Sequence, residues 1–116
     1  VIDYAKSKLG MAYVWGGAGP NSFDCSGLTM AAYATVGISL PHHAADQATM
    51  GTPVTRANLQ PGDLIFWYSP VGHVSIYIGN GQMIHARGTA YGVVQQTVDS
   101  YIAAGGSYTS ARRFIS

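Results

Sequence analysis

The hydrophobic period of this chain changes near residue 60. Before that point apolar side chains recur every three to four residues, the spacing of one helix face. After it they fall into short runs and alternations, the spacing of strands. Val1 to Leu9 reads as a short amphipathic helix, with Ile2, Ala5 and Leu9 on one side and Gly10 as its stop. Ser26 to Val36 carries Leu28, Ala31, Ala32 and Tyr33 without a proline and ends at Gly37. A second helix is predicted there, with Cys25 at or just before its first turn. Leu40-Pro41 favours an extended step, and His43 to Met50 reads as a third short helix before Gly51.

The later half reads as sheet. Gln60-Pro61-Gly62-Asp63 is a turn in which Asp63 bonds backbone N–H groups. Leu64 to Trp67 is a buried strand, His73 to Ile78 alternates, and Met83 to Ala86 is the next strand. Gly88 to Gly92 is a loop, Val93 to Gln96 a strand, Val98 to Ala104 a short helix, and Arg112 to Ile115 a strand that closes the sheet. Helices followed by strands predict an α+β domain, its N-terminal helices packed on a C-terminal antiparallel sheet of five to six strands.

Length and charge narrow the function classes. The chain has 116 residues, enough for one domain, and 47% are apolar. Charged residues make up 9%, against about 25% in an ordinary domain. A net charge of +1 gives no electrostatic case for nucleic acid or an anionic membrane. No apolar run is long enough to span a bilayer, and a monomer is the default expectation. Val1 is not an initiator methionine, so the stretch reads as a single domain, residues 1–116, a fragment or mature domain cut from a longer protein.

The one cysteine excludes an intrachain disulfide and carries the chemistry instead. Cys25 lies in Phe23-Asp24-Cys25-Ser26-Gly27-Leu28, between a Gly/Pro-rich loop and the second helix. Unpaired N–H groups at a helix start favour thiolate, the nucleophilic form. The backbone N–H of Cys25 is also a ready oxyanion donor. Two later histidines lie on the hairpin His73 to Arg87. A two-residue turn (Asn80-Gly81) would mix apolar and charged groups on both faces. A three-residue turn (Gly79-Asn80-Gly81) gives one face of Val74, Ile76, Ile78, Ile84 and Ala86 and another of His73, Ser75, Tyr77, Met83, His85 and Arg87. The second arrangement strands fewer polar groups and is preferred. It sets His85 diagonal to His73, about 7–8 Å apart between backbones. Cys25, His73 and His85 then form a nucleophile, a base and an orienting residue. On this reading His85 stands on a wet face, and its truncation spares the fold.

Other readings use the same residues. Cys25, His73 and His85 have the atom types of a three-ligand zinc site, but no second cysteine or close ligand pair accompanies them, and neither metal nor cofactor is expected. A non-catalytic binding module would have lost the thiol or the base. A thiol acyltransferase would carry an apolar anchor. His42 and His43 read as loop residues at a cleft rim, Trp15 and Trp67 as core or cleft wall, and Arg87 as a carboxylate contact or a solvated strand end.

Together, Tyr13-Val14-Trp15-Gly16-Gly17, the Cys25 hexapeptide, Leu40-Pro41…Gln47, Pro61-Gly62-Asp63-Leu64-Ile65-Phe66 and Gly72-His73-Val74-Ser75-Ile76-Tyr77-Ile78-Gly79…Ile84-His85-Ala86 resemble the NlpC/P60 family. These are papain-like cysteine peptidases of bacterial and phage origin that act on the cell wall. The resemblance covers nearly the whole chain. It implies cleavage of peptidoglycan stem peptides, commonly between D-γ-glutamyl and meso-diaminopimelate, in a secreted or envelope setting. It maps nucleophile, base and third residue onto Cys25, His73 and His85, an oxyanion-side hydroxyl onto Tyr13, and the substrate cleft onto Asp24 and Ser26. Ala44 departs from it, standing where many relatives carry a hydroxyl. No added binding domain is visible, which favours an open groove acting on intact wall.

Overall fold

In a computed structural model, which describes residues 1–115, four helices and eight strands follow one another along the chain. They are α1 (Ile2–Ser7), β1 (Ala12–Tyr13), β2 (Ser22–Phe23), α2 (Cys25–Ala34), α3 (Ala44–Gln47), β3 (Thr52–Pro53), β4 (Leu64–Trp67), β5 (His73–Gly79), β6 (Gln82–Ala86), β7 (Val93–Thr97), α4 (Val98–Ala103) and β8 (Tyr108–Arg113). The main sheet is antiparallel with order β3-β8-β4-β5-β6-β7. The α+β expectation and its six-strand limit therefore hold. The final strand differs: it starts at Tyr108 rather than Arg112, ends before Ile115, and lies inside the sheet between β3 and β4.

Helix boundaries contract relative to the sequence pattern. α1 stops at Ser7 and leaves Leu9 exposed. α3 is a single turn, not the eight residues predicted. Only α2 keeps its expected face, burying Leu28, Ala32 and Tyr33 against Phe66, Val74, Ile76 and Ile84 of the sheet. Packing on that sheet, more than intrinsic propensity, holds so short a helix.

The β5–β6 hairpin decides where the histidines point. Ile76 pairs with Ile84 and Tyr77 with Met83, the register of the three-residue reading. The turn itself is Asn80-Gly81, both left-handed (φ 53° and 73°), which is the two-residue type that matches strand twist. Pairing then resumes with Gly79 opposite Gln82, so Ile78 is the extra residue of a bulge. Turn and bulge together produce the face assignment that a longer turn would have produced.

The strand alternation predicts one dry face and one wet face, and this expectation is overturned. Ser75, Met83 and His85 are fully buried, and His73 is 7% exposed. Val98 and Tyr101 of α4 fold over this side and pack with Ile65, Trp67 and Met83 in a second core. Trp67 is thus core, its indole N–H donating to Ser75 Oγ at 3.1 Å. Asp63 performs its predicted turn role, accepting the Gln60 N–H, and also receives the Arg113 guanidinium on both oxygens at 2.9 Å.

Candidate active site

The thiol is positioned by contacts that run mostly within a short stretch of chain. Asp24 caps α2, accepting the Gly27 N–H at 2.6 Å. Its other oxygen accepts the Gly16 N–H at 2.9 Å, which ties the glycine loop to the helix start. A Cβ on Gly27 would sit 1.9 Å from the Gly17 carbonyl oxygen, so only glycine lets loop and helix approach this closely. Gln47, fully buried, donates to the Ser26 carbonyl at 3.1 Å and the Pro41 carbonyl at 2.8 Å, docking the Leu40-Pro41 segment on α2. His42 Nε2 lies 3.0 and 3.2 Å from the two Asp24 oxygens.

Cys25 is half-buried and opens into a cleft of about 320 Å³ lined also by Tyr13, Trp15, Asp24, Ser26 and His43. Its backbone N–H has no acceptor among the described residues. The Cys25 side chain packs with Val74, the strand residue next to His73. Trp15 is not core: it stands on the cleft wall with 86% of its surface exposed.

The imidazoles are held quite differently. His73 Nε2 meets His85 Nδ1 at 2.7 Å, and His85 Nε2 meets Gln96 Oε1 at 2.7 Å. Tyr101 of α4 stacks edge-on against His85, with ring centroids 4.9 Å apart, and tilts against His73 at 5.6 Å. Arg87 lies over the rings of Tyr91 and Tyr101, so it is not a bare solvated strand end. Both nitrogens of His85 are engaged by protein partners. Among the described residues no three His, Cys, Asp or Glu side chains are arranged to hold a metal.

Burial sets the protonation states. It lowers His73 to about 3, helped by the neighbouring His85 and by Arg87. It lowers His85 to about 4, with Arg87 assisting and the Gln96 hydrogen bond opposing. Burial also pushes the Cys25 thiol up, and the Asp24 carboxylate adds to this, against the N–H donors of Val74 and Ser26 and the Ser26 hydroxyl. Desolvation thus outweighs the helix-start field that predicts a resting thiolate. These shifts favour a thiol and neutral imidazoles near neutral pH. Burial, Cys25 and Asp24 all raise the Tyr13 hydroxyl, placing it near the thiol in its neutral form.

Of the six candidate residues, Tyr13, Asp24, Cys25 and Ser26 line one cleft, while His73 and His85 are bonded to each other on β5 and β6. Two contributors, Gln96 and Tyr101, have no signal in a sequence motif, and a third, His42, has a role that its position does not announce. His42 is a partner of Asp24 and not merely a rim residue. Gln96 and Tyr101 are brought to the histidines by β7 and α4. Gln96 was open to inference from register alone, because pairing His85 with Val94 and Met83 with Gln96 puts it on the His85 face.

A half-buried thiol on the first turn of a helix packed on an antiparallel sheet that carries a bonded histidine pair defines a papain-like α+β domain. The chain belongs to the NlpC/P60 family, whose profile matches residues 10–112. It is 46% identical over 99 residues to a probable endopeptidase of Corynebacterium glutamicum, covering 85% of this chain and 47% of that protein. The crystal structure of an NlpC/P60 family protein from Bacillus cereus superposes with a TM-score of 0.92 at 36% identity, over 99% of this chain and 39% of that one. The peptidoglycan hydrolase RipB of Mycobacterium tuberculosis gives 0.88 at 35% identity, over 99% and 63%. This chain therefore spans less than half of the Corynebacterium relative.

Proposed function

We propose that this domain is a cysteine endopeptidase that hydrolyses peptidoglycan stem peptides, at the bond between D-γ-glutamyl and meso-diaminopimelate, in the bacterial envelope or as part of a phage lysin. The observation that carries this reading is the Cys25 sulfur in an open cleft, packed against the strand on which His73 stands bonded to a second histidine. Family membership and relatives named as endopeptidase and peptidoglycan hydrolase support the substrate class.

Because His73 Nε2 is bonded to His85, its Nδ1 is the nitrogen left for the thiol. In the proposed reaction His73 takes the proton from Cys25 as the sulfur attacks the carbonyl carbon. The oxyanion that forms is met by the backbone N–H of Cys25 and the Tyr13 hydroxyl. Collapse breaks the C–N bond, and the imidazolium returns the proton to the leaving amine. Water, deprotonated by His73, then hydrolyses the thioester and frees the sulfur. Starting from a neutral pair, the proton moves during attack, when the developing oxyanion compensates the charge separation. His85 fixes the tautomer and orientation of His73. Ser26 and Asp24 form the substrate-side wall, and Asp24 also holds that wall together through Gly16, Gly27 and His42.

Mass spectrometry of muropeptides digested by the domain tests this. Products ending in D-γ-glutamate, lost on iodoacetamide treatment and unchanged by a chelator, are expected. Loss in chelator alone would favour zinc chemistry, and cleavage that survives alkylation of Cys25 would end the thiol mechanism.

A further inference from the structure

The hydrogen bonds behind His85 run in one direction. Ser100, on the first turn of α4, donates its hydroxyl to the Thr97 carbonyl at 2.9 Å. Its oxygen is then free only to accept, and it does so from Gln96 Nε2 at 3.0 Å. The amide of Gln96 is thereby oriented, with its nitrogen toward Ser100 and its oxygen toward His85. An amide oxygen only accepts, so His85 Nε2, 2.7 Å away, must carry the proton. A neutral imidazole has one N–H, which leaves His85 Nδ1 as an acceptor. The proton in the 2.7 Å bond between the rings therefore belongs to His73 Nε2. His73 Nδ1 is left with a bare lone pair.

We propose that Gln96 is a positioning residue for the base: through His85 it fixes the tautomer in which His73 presents an unprotonated Nδ1 to Cys25. The residue acts without touching substrate, and the inference rests on the reading of Cys25 and His73 given above. An acceptor is what the geometry requires, and a neutral one suffices. A carboxylate at this position would add charge that pulls the pair toward imidazolium. The other groups facing the pair are Arg87 just after β6, whose charge resists protonation of both rings, and Tyr101 of α4, which packs on both. The chain thus holds the tautomer while keeping both imidazoles neutral.

Nitrogen-15 NMR of histidine-labelled wild-type protein reads the tautomers without any assay of activity. Both His73 and His85 should be protonated at Nε2 and bare at Nδ1. A proton on Nδ1 of either ring overturns the proposal. Gln96→Met removes the acceptor and should give mixed tautomers, with kcat reduced roughly 5- to 150-fold, the cost of one unpaired buried donor, and KM unchanged. Gln96→Glu restores the acceptor and the Nε2–H tautomers, which separates a role in proton placement from one in packing, and its acid limb in kcat/KM should move to higher pH. Wild-type tautomers and rates in Gln96→Met would refute the role of Gln96 while leaving the peptidase reading intact. A wild type that cleaves no stem peptide would refute the peptidase reading, and the NMR result would still decide the tautomer.

Discussion

The two halves of the site are built on opposite principles. On the thiol side, one carboxylate gathers Gly16, Gly27 and His42, and the result is an open cleft. On the imidazole side, residues from β5, β6, β7 and α4 meet in a sealed layer, where His85 has no exposed surface. The thiol side must admit a peptide, so its polar groups are held by caps and loops at the surface. The imidazole side must keep two bases neutral at the pH of use, and removal from water accomplishes that. The contrast predicts that damage to the buried half costs both fold and chemistry, while damage to the cleft half costs less stability.

His85→Ala should show the largest joint effect. It removes a fully buried ring and leaves His73 and Gln96 without partners. A loss of about 2–4 kcal/mol in denaturant unfolding is expected, together with loss of most turnover. A variant as stable as wild type would mean that this layer is not the packed core described here.

Acid should act on the same half. Both histidines are held below their ordinary value near 6.5, at about 3 for His73 and about 4 for His85. The unfolded chain therefore binds more protons than the folded one between those values and 6.5. Their contribution to stability is complete above about pH 6.5 and declines as pH falls toward 4. The slope is at most about 1.4 kcal/mol per pH unit for each ring. Unfolding free energies measured from pH 7 to pH 4 should fall accordingly, and a flat profile would contradict the neutral pair.

The cleft half should yield smaller numbers. Asp24→Ala removes the cap of α2 and the anchor of Gly16, at a cost of about 1–2 kcal/mol in thermal or denaturant unfolding. His42→Ala removes one half-exposed partner of the same carboxylate and should cost less than about 1 kcal/mol. Equal losses in the two variants would mean that the pairing with His42, and not the cap, organises the cleft.

The same contrast explains how much was legible in the sequence. Asp24, Cys25 and Gly27 are neighbours in the chain, so a cap, a thiol and a close-approach glycine read as one motif. His73 and His85 were placed on one face by hairpin register, because a wrong register would bury charge. The covering of that face by α4 was not legible. Val98 and Tyr101 resemble any short apolar helix, and only the fold brings them over Trp67 and Met83. The neutral thiol was hidden for the same reason, since burial is tertiary while a helix start is local. β1, β2 and β3 contain two residues each, too few to show a period. The bulge at Ile78 reconciled a two-residue turn with the register of a longer one, which alternation alone does not reveal.

The central claim is that the cleft thiol and the sealed imidazole pair act as one unit. Turnover of a defined stem-peptide substrate by Cys25→Ala, His73→Ala and the double variant, each checked for folding, tests it most directly. Each single change should reduce turnover by about a thousandfold or more, and the double variant should be no worse than either. Losses that multiply in the double variant, or a single variant within tenfold of wild type, would show that the two halves do not share the chemistry.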